Sequence, residues 1–85
     1  MAETREIQIK RMKLRAMRRG IREMDLILST YADARLDGMS EGELALFDQL
    51  LGENDQDLYA WVTGQSPAEG QFAAMIEDIA GTYQK

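Results

Sequence analysis

The sequence predicts an all-α fold, a compact bundle of five short helices. The chain has one proline and seven glycines in 85 residues, and its apolar residues recur at spacings of three and four, the period of an α-helix. Little room is left for β-strands. The length favours a single domain over residues 1–85, with an ordered core expected from about residue 4 to residue 82.

The first two predicted helices run from about Thr4 to Met17 and from near Gly20 to about Ala34. The first has a poorly defined apolar face, made of Ile7, Ile9, Met12, Leu14 and Met17. The second has one apolar stripe with helical spacing. That stripe consists of Ile21, Met24, Leu28 and Tyr31, widened by Leu26 and Ile27. Asp37 and Gly38 then predict a turn.

The last three helices each have a start signal. Ser40 and Glu43 fit a capping box, Asn54 or Asp55 can cap the fourth helix, and Ser66 followed by Pro67 and Glu69 predicts the start of the fifth. Gly52 and Gly64 are placed to end the third and fourth helices. The apolar faces are Leu44, Phe47, Leu50 and Leu51, then Leu58, Trp61 and Val62, then Phe72, Met75, Ile76 and Ile79. Trp61 and the six methionines are interpreted as core residues.

Charge is distributed unevenly along the chain. Residues 1–25 have a balance of +4 and residues 26–85 one of −9, which gives a net charge of −5. Seven positive and no negative charges lie from Lys10 to Arg22, a segment that we call the basic stripe. It is either a solvated helix face or a surface that speeds encounter with an acidic partner.

The residue inventory argues against most kinds of catalysis. The chain has no cysteine and no histidine, which excludes disulfides, thiol chemistry, the commonest transition-metal ligand and the usual general base. Neighbouring carboxylates on a helix surface, such as Asp55 with Asp57 or Glu77 with Asp78, are usually only solvated. We therefore predict no catalytic residue and no metal site.

No apolar run approaches the roughly 20 residues that span a bilayer. The N-terminal segment also lacks the apolar core of a secretory signal, and Glu3 and Glu6 interrupt its resemblance to a mitochondrial transit peptide. The sequence thus predicts a cytoplasmic protein without membrane insertion.

The segment around Gly20 is the most informative. A glycine inside a helical pattern is unfavourable unless the backbone turns or another surface comes close. Arg19 and Glu23, four apart, form either an ordinary surface ion pair on a continuous helix or, with Gly20, a patch that binds a partner.

These residues resemble the RGxxE motif of the small succinate dehydrogenase assembly factors, which are flavinylation factors. The similarity continues in the E-x-D pattern of Glu23 and Asp25 and in the helix from Ser40 to Leu51. It includes a D-x-D-L-x-x-W-x-x-G pattern from Asp55 to Gly64, and as a whole it covers roughly Arg15 to Ile79. Relatives often carry an aromatic residue and then a histidine or cysteine before the motif, where this chain has Met17 and Arg18.

The resemblance implies a five-helix bundle that acts as an assembly factor and not as an enzyme. Its partner would be the flavoprotein subunit of succinate dehydrogenase or of the related fumarate reductase, in which FAD becomes attached to a histidine. The factor would be a monomer and bind no FAD stably. The partner-binding residues it implies are Arg19, Gly20, Glu23 and Asp25. The positive charges of Arg15, Arg18 and Arg22 are expected to steer the encounter with the partner, so these three are also predicted to bind it.

In this interpretation, Arg19 pairs with an acidic or carbonyl group of the partner. Gly20 permits close approach of the backbone, and Glu23 either accepts hydrogen bonds from the partner or fixes Arg19.

Two other function classes stay open. One is a nucleic-acid-binding module that uses the basic stripe, against which stand the acidic net charge and the lack of interleaved aromatic residues. The other is an enzyme that uses carboxylates.

Overall fold

Five α-helices account for most of the structure, which is a computed structural model describing residues 3–68 and 70–83. They are α1 (Arg5–Met17), α2 (Arg22–Arg35), α3 (Glu41–Leu50), α4 (Asp55–Thr63) and α5 (Ala73–Tyr83). Two 3₁₀ turns, Leu36–Gly38 and Gly70–Phe72, precede α3 and α5. No β-strand occurs within the described ranges, and the predicted all-α class with five helices is confirmed.

Side-chain caps fix three of the helix starts. The Thr4 hydroxyl accepts a hydrogen bond from the Ile7 N–H at 3.2 Å. Ser40 and Glu43 form the predicted capping box, with bonds of 2.8 and 3.1 Å. Of the two predicted caps for α4, Asn54 is the one used, because its side chain accepts from the Gln56 N–H at 2.8 Å. These caps satisfy backbone donors that a helix start leaves without partners.

The predicted start of α5 at Ser66 is wrong. The Ser66 N–H donates to the Ala60 carbonyl at 3.2 Å, so this residue completes the end of α4 and does not cap a new helix. Gly64, with φ of +83°, makes the left-handed turn that allows this. Gly70 is also left-handed, with φ of +66°, and the regular helix begins only at Ala73. Glu69, the third part of the predicted signal, lies outside the described residues.

The core lies between α2 and its neighbours. Both α1 and α5 pack against α2, and α4 packs against α2 and α5. Four methionines, Met12, Met24, Met39 and Met75, are buried as predicted. Trp61 is partly buried and packs on Phe72, with ring centroids 6.4 Å apart. The radius of gyration is 12.1 Å, close to the roughly 12 Å of a compact chain of this length.

Tyr31 brings a polar group to the edge of this core. Its ring is buried, and its hydroxyl donates to Asp78 at 2.8 Å. Burial is the main cause that raises the pKa of Tyr31 above its ordinary value, and this hydrogen bond is the second. The Asp78 carboxylate also accepts from Arg35 at 3.0 Å, so α2 and α5 are joined by a small polar network.

No helix within residues 3–68 and 70–83 is both long enough and apolar enough to cross a membrane.

Candidate functional site

Residues 18–21 connect α1 to α2, and we call them the RG segment. Arg18 ends α1, and its N–H donates to the Arg15 carbonyl at 3.3 Å. Ile21 has an extended backbone and is the N-cap of α2, which begins at Arg22, two residues after Gly20. Arg19 and Glu23 therefore do not lie on one continuous helix. Of the two alternatives, the surface ion pair between them is wrong, because the guanidinium of Arg19 bonds elsewhere.

The guanidinium bonds to the start of α4 and to the connection that precedes it. The Arg19 Nε donates to Asp55 Oδ1 at 2.6 Å, Nη1 to the Leu51 carbonyl at 2.7 Å and Nη2 to the Glu53 carbonyl at 3.1 Å. Only 8% of the Arg19 side chain is exposed. Carbonyls at the end of a helix lack partners within it, and the positive charge also suits the helix dipole there. Arg19 thus caps α3 instead of facing outwards, contrary to the expectation that it pairs with a partner protein.

Two carboxylates hold the backbone of the RG segment. Asp55 Oδ2 accepts from the Gly20 N–H at 2.5 Å, and Asp25 Oδ1 accepts from the Arg19 N–H at 2.5 Å. A Cβ atom on residue 20 would lie 3.1 Å from Asp55 Oδ2. The sequence predicts that Gly20 leaves room for a partner, whereas the structure gives a reason within the chain. The glycine lets the carboxylate approach the backbone.

The outer side of the same junction is exposed. Arg18, Arg22 and Glu23 are exposed, and their side chains form no hydrogen bond or ion pair with any other described residue. Beside them lie Met17, which is 57% exposed, and Leu26, which is 63% exposed. We call these five residues the docking face. Met17, Arg22, Glu23 and Leu26 line one shallow, open groove together with Asp25 and Ser29.

The exposure of Met17 and Leu26 differs from the predicted core roles. Leu26 was expected to widen the buried stripe of α2, but the buried residues of that helix are Met24, Ile27, Leu28, Tyr31 and Ala32. Helical periodicity alone does not give the width of the buried face, because that width depends on how many elements pack around the helix. No local signal in the sequence marks Leu26 as exposed.

Most of the basic stripe is paired inside the chain. Arg11 forms ion pairs with Glu3 at 2.8 Å and Asp48 at 3.1 Å, and Arg15 also bonds to Asp48. Lys13 lies 3.8 Å from Asp33. Hydrogen bonds from Arg11 hold the pKa values of Glu3 and Asp48 below their usual values. With Arg19 also engaged, the cations of the stripe without an acidic partner among the described residues are Lys10, Arg18 and Arg22.

This pairing weakens the nucleic-acid alternative, since Lys and Arg side chains must be free to neutralise phosphates and so displace the counterions condensed on the nucleic acid. The enzyme alternative gains no support either. Within residues 3–68 and 70–83, no three acidic side chains come together as a metal site. Asp55 is engaged by Arg19 and Gly20, and Asp78 by Tyr31 and Arg35.

Comparison with known proteins identifies a family whose sequence pattern matches most of this chain. The pattern of the Sdh5 family, described as "Flavinator of succinate dehydrogenase", matches residues 10–82. Succinate dehydrogenase assembly factor 2, mitochondrial, of Penicillium rubens is 46% identical over 83 residues, which cover 94% of this chain and 27% of the relative. The protein of the same name in Meyerozyma guilliermondii is 46% identical over 61 residues, covering 72% of this chain and 45% of the relative.

A bacterial relative is covered more completely. The FAD assembly factor SdhE of Legionella pneumophila (strain Lens) is 37% identical over 62 residues, which cover 73% of this chain and 78% of that protein. The chain spans less than half of the length of the two fungal relatives.

Proposed function

The chain belongs to the Sdh5 family of succinate dehydrogenase flavinators, and from this premise we propose that it is an assembly factor for a flavoprotein. It binds the flavoprotein subunit of succinate dehydrogenase and promotes covalent attachment of FAD to a histidine of that subunit. The resemblance also implies a second partner, the related flavoprotein of fumarate reductase. The factor acts as a monomer and holds no FAD stably.

The observation that carries the proposal is the docking face. Met17 and Leu26 expose two large apolar side chains in a shallow groove that Arg22 and Glu23 also line. The exposed Arg18 follows Met17 in the chain. An apolar centre with a charged rim is the usual anatomy of a protein interface. An open groove of this kind suits the surface of another protein better than a small molecule, which is normally enclosed in a deeper cleft.

The mechanism is positioning. Flavinylation would join a histidine nitrogen of the flavoprotein to the flavin 8-methyl carbon with loss of one proton from each group, and an electron acceptor such as dioxygen would take up the two electrons released. The chain contains no histidine, so the attacking group belongs to the partner. By binding the immature flavoprotein near its FAD site, the factor holds histidine and flavin in an attack geometry, which lowers the entropic barrier of the reaction.

The residues of the site have separate roles in this proposal. Arg18 and Arg22 attract an acidic region of the partner and speed encounter. Glu23, at the N-terminal turn of α2, accepts hydrogen bonds from the partner. Arg19, Gly20 and Asp25 contribute by holding the RG segment in shape, and Arg15 contributes its charge beside Asp48.

Glu23→Ala is the direct test. Glu23 is exposed, so its removal is expected to change the free energy of unfolding by less than about 0.5 kcal/mol. The apo flavoprotein subunit is mixed with FAD and a dicarboxylate, with or without the factor, and the flavin fluorescence retained on the denatured subunit is measured. Wild-type factor should raise this signal. Glu23→Ala should lower the initial rate of flavinylation at least about tenfold, which corresponds to a loss of roughly 1.4 kcal/mol in transition-state stabilisation.

Glu41→Ala is the matched control, because Glu41 is also an exposed glutamate in the first turn of a helix. It should leave flavinylation unchanged. If Glu23→Ala were as active as wild type, Glu23 would have no part in the docking. If wild-type factor had no effect on its cognate subunit, the proposed function would be wrong, and salt-dependent binding to nucleic acid would be the next measurement.

The compartment of the protein stays a prediction. The two fungal relatives carry the word mitochondrial in their names, while the Legionella relative does not. We propose a cytoplasmic location, as the sequence predicts.

A further inference from the structure

Asp55 makes the largest number of contacts to the RG segment, although it lies 35 positions from Gly20 in the chain. One of its carboxylate oxygens accepts from the Arg19 side chain and the other from the Gly20 backbone, at 2.6 and 2.5 Å. Only 17% of the Asp55 side chain is exposed. It therefore offers little surface to a partner, and both of its oxygens are occupied within the chain.

The position of Asp55 connects two parts of the molecule. It is the first residue of α4, directly after the connection whose carbonyls Arg19 also binds. The RG segment leads into α2, whose first turn carries Glu23 and whose outer side carries Leu26. The Asp55 carboxylate thereby holds the segment between the end of α1 and the start of α2, next to Met17 and Leu26, which line the same groove.

We propose that Asp55 is a positioning residue for flavoprotein binding, which it supports by holding the RG segment so that the docking face is preformed. This inference rests on the proposed function and adds to it a residue outside the docking face. A preformed surface binds more tightly because its ordering cost is not paid on association. Loss of the Asp55 contacts therefore weakens binding without removing any group that touches the partner.

Asp55→Asn is the most informative substitution. Asparagine has the shape of aspartate but replaces one acceptor oxygen by an NH₂ donor. Whichever way its amide is oriented, that donor faces either the Arg19 Nε–H or the Gly20 N–H, so one of the two bonds is lost. Asp57→Asn is the matched control, because Asp57 is exposed, lies in the same turn of α4 and undergoes the same change of charge.

The first measurement is the affinity for the apo flavoprotein subunit, obtained by titration at a temperature where circular dichroism shows every variant to be folded. Asp55→Asn should raise the dissociation constant about tenfold, equivalent to roughly 1.4 kcal/mol, and Asp57→Asn should not. Flavinylation by Asp55→Asn should recover when the factor is supplied at saturating concentration. If Asp55→Asn does not fold, Asp55→Glu, which keeps the charge but displaces the carboxylate, is compared with Asp57→Glu in the same titration and should show the same weakening.

The second measurement separates positioning from a general loss of stability. If Asp55 acts through the part of the surface that carries Glu23, the double variant of Asp55→Asn and Glu23→Ala should bind more tightly than the product of the two single losses predicts. Fully multiplicative losses would mean that Asp55 acts independently of Glu23 and would overturn the inference. Unchanged affinity in folded Asp55→Asn, or in Asp55→Glu where that variant replaces it, would also overturn it.

Amide hydrogen exchange of the free factor distinguishes failure of this inference from failure of the proposed function. The Gly20 N–H should exchange faster in Asp55→Asn than in Asp57→Asn, because only the first loses its acceptor. Faster exchange with unchanged affinity would leave the proposed function intact and reject the positioning role. A wild-type factor that neither binds the flavoprotein nor promotes flavinylation would reject the proposed function and this inference with it.

Discussion

Two of the arginine–aspartate clusters among the described residues differ in character. In the first, Arg19 and Asp55 are 8% and 17% exposed, and their side chains join the RG segment to the start of α4 and the connection before it. In the second, Arg11 and Arg15 of α1 share Asp48 of α3, and these side chains are between 30% and 38% exposed. Both clusters join the N-terminal half of the chain to the middle, yet they have different structural consequences.

The difference lies in what else determines the local structure. Buried apolar residues such as Met12 and Phe47 anchor α1 and α3 in the core, so the Asp48 cluster joins two helices that packing already holds. The RG segment has only the half-buried Ile21 to anchor it in the core, and its conformation depends on hydrogen bonds. Exposed ion pairs contribute little to stability, whereas a buried, fully bonded pair is costly to break.

Arg19→Ala should have the largest effect on stability. It leaves Asp55 and the Leu51 and Glu53 carbonyls without their donor, so the free energy of unfolding should fall by about 3 kcal/mol. Urea denaturation followed by circular dichroism measures this. Arg15→Ala, the equivalent change in the exposed cluster, should lower the same quantity by less than about 1 kcal/mol. Equal losses for the two variants would show that burial does not distinguish the clusters.

Gly20→Ala should have an intermediate effect. The added methyl would lie 3.1 Å from Asp55 Oδ2, and this carboxylate is held by Arg19 and cannot move away freely. The free energy of unfolding should fall by about 1 kcal/mol as the Gly20 hydrogen bond lengthens. At Gly38, where no atom lies within 4 Å of an added methyl, the same substitution should change stability by less than about 0.5 kcal/mol. A higher free energy of unfolding in Gly20→Ala would mean that the Asp55 carboxylate moves away from the added methyl at little cost.

The exposed half of the site could be predicted from sequence better than the buried half. Arg18, Arg22 and Glu23 were expected at the surface because charged side chains favour water, and they are exposed. Arg19 belongs to the same run of charge, and nothing local distinguishes it. Its partners lie more than 30 positions away, so its burial follows from the tertiary fold.

The fold shows the same division between local and distant causes. The capping box at Ser40 was predicted correctly because all of its atoms lie within four residues. The start of α5 was predicted too early, since Ser66 has a competing bond to Ala60 in the preceding helix. A capping residue indicates where a helix can begin, but a nearby helix end can use the same backbone group first.

Asp48→Asn should give the smallest effect and the clearest dependence on conditions. Hydrogen bonds from Arg11, opposed by burial, lower the pKa of Asp48 in the folded state. A lowered pKa means that folding favours the charged carboxylate, so its contribution is present above the unfolded pKa of about 4 and is lost as the pH falls through the lower folded value.

At pH 7 the free energy of unfolding of Asp48→Asn should therefore be less than that of wild type by under about 1 kcal/mol, and this difference should shrink as the pH falls below about 4. It should also shrink in about 1 M salt, where charges a few ångströms apart in contact with solvent are screened. The loss caused by Arg19→Ala should be much less sensitive to salt, because its pair is buried. Urea denaturation of both variants at low and high salt measures the two dependences side by side, and an equal salt dependence would contradict the distinction between a cluster that water reaches and one that it does not.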